Sequence, residues 1–147
     1  MGNSAVRSEL EELFRLHQEH SNNFFDGDPE LEHWAHDEGV TLHGGFGFSA
    51  RGWDEVRPGL IRAAGRLSEG QMKFTPIGGQ VAGDLAYVAG LEEGTVRVDG
   101  GERRPMRLKV TMVFRKENGS WKRVHRHGEI VRDVGSGGSV GADAAVG

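Results

Sequence analysis

Asn118-Gly119 separates two runs of alternating apolar and polar residues, and no other stretch restricts the possible folds of this chain so tightly. Both residues tolerate the positive φ of a type I′ turn. The flanking runs, Met106 to Lys116 and Trp121 to about Val131, therefore read as the arms of an antiparallel hairpin. In the first arm Met106, Leu108, Val110, Met112 and Phe114 share one face, which must be the core face. The second arm is less decisive. One of its faces holds Lys122, Val124, Arg126, Gly128 and Ile130, and the other holds Trp121, Arg123, His125, His127, Glu129 and Val131. Neither is cleanly apolar, so either Arg126 or the two histidines with Glu129 point inward.

Upstream of the hairpin, Ser4 to His20 reads as an amphipathic helix with Leu10, Leu13, Phe14 and His17 on one stripe. Asp26-Gly27-Asp28-Pro29 breaks it, and Asp28 with Pro29 predicts the start of a short second helix carrying Leu31, Trp34 and Ala35. A short strand, Val40 to His43, leads into the glycine-aromatic loop Gly44-Gly45-Phe46-Gly47-Phe48. A third helix follows from about Trp53 to Leu67, with Val56, Leu60, Ile61, Ala64 and Leu67 as its stripe. Two further strands, Met72 to Val81 and Leu85 to Val98, turn at Gly83-Asp84 and Asp99-Gly100-Gly101. Helices followed by an antiparallel meander give an α+β class, a cone-shaped half-barrel with a curved antiparallel sheet of 4–6 strands wrapped on three N-terminal helices. Residues 1–133 form one domain in this reading, and 134–147, rich in Gly, Ser and Ala, form a disordered tail.

Composition removes several classes. The 147 residues carry a net charge of -4, which gives no electrostatic reason to expect nucleic acid. The arginines and lysines at 103, 104, 107, 115, 116, 122 and 123 read as solvated strand edges. Without cysteine there is no disulfide, thiolate nucleophile or cysteine metal site. No apolar run approaches the ~20 residues of a membrane span, and the N-terminus lacks a signal-peptide core, so a cytoplasmic protein is expected. Phosphate-loop, dinucleotide and nucleophile-elbow motifs are missing.

Four constellations could carry chemistry. His125 and His127 lie on one strand face about 7 Å apart, a spacing that suits a metal with Glu129 or His43, although no carboxylate-rich loop joins them and no metal is expected. For acid-base work the candidates are His17, His43, His125 and His127, with Glu93 or Glu129 as orienting acids. Arg126, if inward, would need a partner such as Glu93 or a ligand carboxylate. Finally, Phe14, Phe24, Trp34, Phe46, Phe48, Trp53, Tyr87, Met112 and Phe114 are candidates for an apolar lining, with Phe46 and Phe48 forming a lid or a dimer contact.

Several of these stretches carry a family likeness: Asp26-Gly27-Asp28-Pro29, Trp34, Val40 to Gly44, Arg51 to Val56, Gly83 to Val88, Thr111 to Arg115, and Gly119-Ser120-Trp121 with Val124-His125-Arg126-His127. Together, over roughly residues 8 to 131, the chain resembles the SnoaL-like branch of the nuclear transport factor 2-like superfamily. Ketosteroid isomerases, polyketide cyclases and kinase association domains share that cone. The resemblance implies a deep pocket between helices and sheet and a homodimer through the outer sheet face. It further implies Met112, Tyr87, Val124, Arg126 and Gly128 facing the pocket, with His125 and His127 outward or at the rim. The pocket arginines of the association domains are not matched, since Met112, Ala89 and Gly128 occupy those positions. The helix tyrosine of the isomerases is not matched either, because Phe14 and His17 take its stripe.

Two functions follow as expectations. One is a cofactor-independent isomerase, dehydratase or cyclase acting on a ketone-bearing or polycyclic substrate, with His43, His17 or His127 moving a proton and Arg126 or Tyr87 steadying the oxyanion. The other is a non-catalytic binder of a small hydrophobic molecule or a homodimeric interaction module.

Overall fold

The computed structural model describes the backbone of residues 2–132 and, within it, the side chains of residue 5 and residues 7–132. The tail expected from Val134 onward lies outside the described residues. Helix α1 (Gly2–Phe24) runs four residues beyond the sequence expectation. Each added residue finds a tertiary partner. Ser21 Oγ donates to Glu92, Asn22 Oδ1 accepts from the Met72 amide, Asn23 Nδ2 donates to Glu30, and Phe24 joins the core. Leu13, His17, His20, Ser21 and Phe24 form its buried stripe, at helical spacing.

The expected second helix shrinks to a single 3-10 turn, Leu31–His33. Asp28 Oδ1 accepts from the Glu30 amide at 2.9 Å, closing a tight turn rather than capping a helix. Glu30 adopts a left-handed φ of 51°. This conformation accompanies a carboxylate turned inward against His20 and Asn23.

Strands β1 (Thr41–His43) and β2 (Ser49–Arg51) form a small hairpin ahead of helix α2 (Trp53–Gly65). Four long strands complete the molecule: β3 (Leu67–Ala82), β4 (Leu85–Val98), β5 (Arg103–Glu117) and β6 (Ser120–Ile130). They make one open six-stranded sheet of order β2-β1-β6-β5-β4-β3. The sheet is mixed rather than wholly antiparallel, because β1 lies parallel to β6. The segment from Trp34 onward is laid along β6, beginning with a bridge to Arg123 and an Ala35 amide donating to the Arg123 carbonyl at 2.9 Å. Edge strand β3 carries Pro76, whose missing donor costs least at an edge, and irregularities after Ser68 and Pro76 bend it around α1.

A bulge settles the ambiguous face of the last strand. His125 pairs with Val113, but Arg123 pairs with Phe114, so Val124 is an extra residue. Beyond it the alternation reverses. Trp121 and Arg123 thus join Arg126 and Gly128 on the inner face, and all four are buried. Arg123, read from sequence as a solvated edge residue, is instead only 3% exposed. Among the described residues no helix is long and apolar enough to cross a membrane.

Candidate ligand-binding site

The register of β4 and β5 places Val88 opposite Met112 and Glu92 opposite Leu108. The even-numbered residues of β4 therefore face the core, and Glu92 rather than Glu93 is the interior acid. Glu93 lies outside, 3.1 Å from Arg107 in an exposed pair. Tyr87 shares its face and is 44% exposed, so the implied pocket position for Tyr87 is corrected by strand phase.

Inside, Glu92 is gripped from three directions. Arg126 donates through Nη2 to Oε1 at 2.9 Å and through Nη1 to Oε2 at 3.2 Å. Ser21 Oγ donates to Oε2 at 2.8 Å, and His17 Nε2 lies at the same distance from that oxygen. An ionised carboxylate only accepts, so the Nε2 of His17 carries its proton. A second cluster sits one helical turn away. Glu30 accepts from Asn23 Nδ2 and from His20 Nδ1, both at 2.8 Å, and faces Arg123 at 3.7 Å.

Burial raises the Glu92 carboxyl, but Arg126 and His17 together outweigh it and hold Glu92 well below the usual carboxylate range. Burial pushes His17 down despite Glu92, and pushes His20 further down with help from Arg123. Arg123 is drawn to about 10 by burial, against the pull of Glu30, and stays protonated near neutrality. Two carboxylates thus balance two guanidiniums around neutral imidazoles. The ion pairing compensates the buried charges, although His17 Nδ1, His20 Nε2 and Arg123 Nε are buried without a hydrogen-bond partner among the described residues.

Arg126 also borders a narrow cavity of about 30 Å³ that widens into an open mouth. Phe24, Phe46, Phe48, Leu60 and Leu108 supply much of its wall, and among the described residues Arg126 is the one charged residue in it. The guanidinium lies over Gly128, where a Cβ would stand 3.0 Å from Nη2. Phe48 is a wedge rather than a free lid: Cβ atoms at Gly44 and Gly59 would approach its ring to 2.4 and 2.7 Å. Phe46 is covered by Arg66, whose guanidinium lies 4.1 Å from the ring centre.

Of the residues expected in the pocket, Phe24, Phe46, Phe48 and Arg126 come together at the cavity. Met112 is buried beside Arg126, its sulfur 3.7 Å from Nη1, but is not part of the cavity wall. Phe14 packs on Phe74, Trp53 stacks on His36, Phe114 lies under the Arg123 guanidinium, and Trp34 is sealed in the core. Sequence reasoning missed Glu92, Glu30, His20, Ser21 and Arg123. The spacing of His17 and His20 on the α1 stripe was the one available signal.

His43 and His127 belong to a different place. With His125 they cluster on the outer face, where β1 and β6 run side by side, with ring centres 5.1 Å (His43–His127) and 5.7 Å (His43–His125) apart. Ser49 and Thr41 hydroxyls bond His43 and His125 at 2.8 and 2.7 Å. Partial burial, then repulsion from its two neighbours, lowers His125. Among the described residues no group of three His, Asp or Glu side chains is arranged to hold a metal ion.

An open curved sheet with helix α1 across its inner face and an interior cavity defines the nuclear transport factor 2-like class. The chain belongs to the SnoaL-like domain family, whose model matches residues 18–132. A nuclear transport factor 2-like superfamily protein from Salmonella enterica serovar Typhimurium LT2 has a similar structure, with 21% identity and a TM-score of 0.70 over 93% of this chain and 99% of that one. A ketosteroid isomerase-like protein from Erwinia carotovora atroseptica is 19% identical, with a TM-score of 0.66 over 83% and 94% of the two chains. A protein with a cystatin-like fold from Caulobacter vibrioides is 16% identical, with a TM-score of 0.64 over 87% and 91%. No curated protein matches the chain.

Proposed function

We propose that this protein binds a small hydrophobic molecule carrying one hydrogen-bonding oxygen. The observation that carries this reading is the apolar cavity with Arg126 as its one charged wall residue. Glu92 holds that guanidinium in place, so a donor is presented to the cavity without an unbalanced charge. Isothermal titration with 2-naphthamide, a neutral carbonyl-bearing aromatic that can enter from the open mouth, tests it. Binding to the wild type and its loss in a folded Leu108→Trp variant, which fills the cavity, are expected. Equal binding by both proteins would place the ligand elsewhere.

Proton transfer of the isomerase type is a less favoured reading, motivated by the His17–Glu92 pair behind Arg126 and the likeness to a ketosteroid isomerase-like protein. Glu92 accepts from Arg126, Ser21 and His17 and sits far below neutrality, which makes it a weak base. The homodimer remains a proposal supported by Leu85 and Tyr87, both exposed on the outer face. Sedimentation of Tyr87→Arg beside the wild type tests it: a dimer that dissociates on substitution fits, and a wild-type monomer does not.

A further inference from the structure

The cavity adjoins a second depression across two shared side chains, Met106 and Ile130. This depression is a notch where β6 ends while β5 continues, and three arginines, Arg104, Arg107 and Arg132, line it with one acid, Glu93. Arg107 is paired with Glu93, but among the described residues Arg104 and Arg132 have no ion-pair partner. Two more arginines stand over the cavity's aromatic wall, Arg66 on Phe46 and Arg62 on Phe48. Arg66 is tied to Asp99 through two bonds of 3.0 and 2.8 Å. This end of the molecule is cationic in a chain whose net charge is -4.

The interior offers no comparable place for an anion. Arg126 is already neutralised by Glu92, and a second carboxylate beside it would be buried without compensation. An apolar cavity beside a notch with more guanidiniums than carboxylates fits a molecule with an apolar body and an acidic end.

Resting on the cavity as the ligand site, we propose that the ligand is a small hydrophobic acid whose carboxylate is held in the notch by Arg104 and Arg132. Two exposed guanidiniums suit this role, since each presents a fork of donors to a carboxylate and neither pairs with an acid among the described residues.

Isothermal titration with 2-naphthoate and its neutral isostere 2-naphthamide reads the charge alone. The wild type is expected to favour the acid by about tenfold, a ratio that shrinks with added salt. In the double variant Arg104→Gln/Arg132→Gln the ratio falls to about one. Both arginines are exposed, so the variant's melting temperature verifies that it is folded. Equal wild-type affinities for the two compounds, or a preference that survives the double substitution, overturn the assignment while leaving the cavity reading intact. Binding of neither compound overturns both.

Discussion

Histidines occur on both faces of the sheet side of this molecule, and the two sets behave as different materials. His17 and His20, on α1, are fully buried and bonded to carboxylates that two guanidiniums also grip. His43, His125 and His127, on the outer strands, meet hydroxyls, one another and solvent. The inner set is part of the core's polar skeleton and orients Arg126 toward the cavity. The outer set decorates a surface. Residue type alone assigns no role here, because burial and pairing decide which imidazoles carry energy.

The sharpest way to break this contrast is to cut the inner network. Glu92→Ala leaves Arg126 charged and unpaired in the core, and is expected to cost about 3–5 kcal/mol in urea denaturation. Replacing both partners, Glu92→Met with Arg126→Met, should recover most of that loss. A double variant as unstable as the single one would mean that the pair is not the source of the cost.

Acid is the second probe. His17 and His20 have lowered values in the folded state, so the unfolded chain binds protons first as pH falls below the ordinary imidazole value of 6.5. Stability is full above that value and declines below it, by up to about 1.4 kcal/mol per pH unit for each histidine. Below the ordinary 4.5 of a glutamate, Glu92 adds to the loss, because its folded carboxylate stays ionised while the unfolded one takes a proton. His17→Gln with His20→Asn retains the ring donors at Nε2 and Nδ1 without titrating, and should flatten the curve between pH 6.5 and 4.5. Substituting the outer His125 by Gln should leave most of the slope, since burial, the first cause of its lowering, is only partial there.

Smaller effects sharpen the picture. Gly128→Ala puts a Cβ 3.0 Å from the Arg126 guanidinium and is expected to cost about 1–2 kcal/mol, with weakened 2-naphthamide binding. Glu93→Gln breaks only the exposed pair with Arg107 and should change stability by less than about 0.5 kcal/mol. A large loss there would place Glu93, rather than Glu92, in the interior network.

Much of the architecture was legible in advance. Asn118-Gly119 predicted the hairpin, and the alternation of Met106 to Phe114 predicted the buried face of β5. Strand β4 was found at its observed ends, Leu85 and Val98. The parallel pairing of β1 with β6 was not legible, because it depends on contacts between segments some eighty residues apart in sequence. The inner polar network escaped for a related reason. Glu92 and Arg123 each look like surface charges locally, and only the phase of β4 and the bulge at Val124 turn them inward. Glu30 follows a Pro and resembles a helix start, yet its side chain is committed to His20, Asn23 and Arg123. Of the site itself, the glycine-aromatic loop and Arg126 were visible as candidates. The outward placement of Tyr87 required the observed register.

Methyl NMR during a 2-naphthamide titration tests most directly whether function lies on the inner face. The leucine and isoleucine methyls of Leu42, Leu60, Leu108 and Ile130 surround the cavity, whereas those of Ile77 and Leu85 are exposed elsewhere. Saturable shifts confined to the first group are the predicted result. Shifts centred on Ile77 and Leu85, with the cavity methyls unmoved, would contradict it.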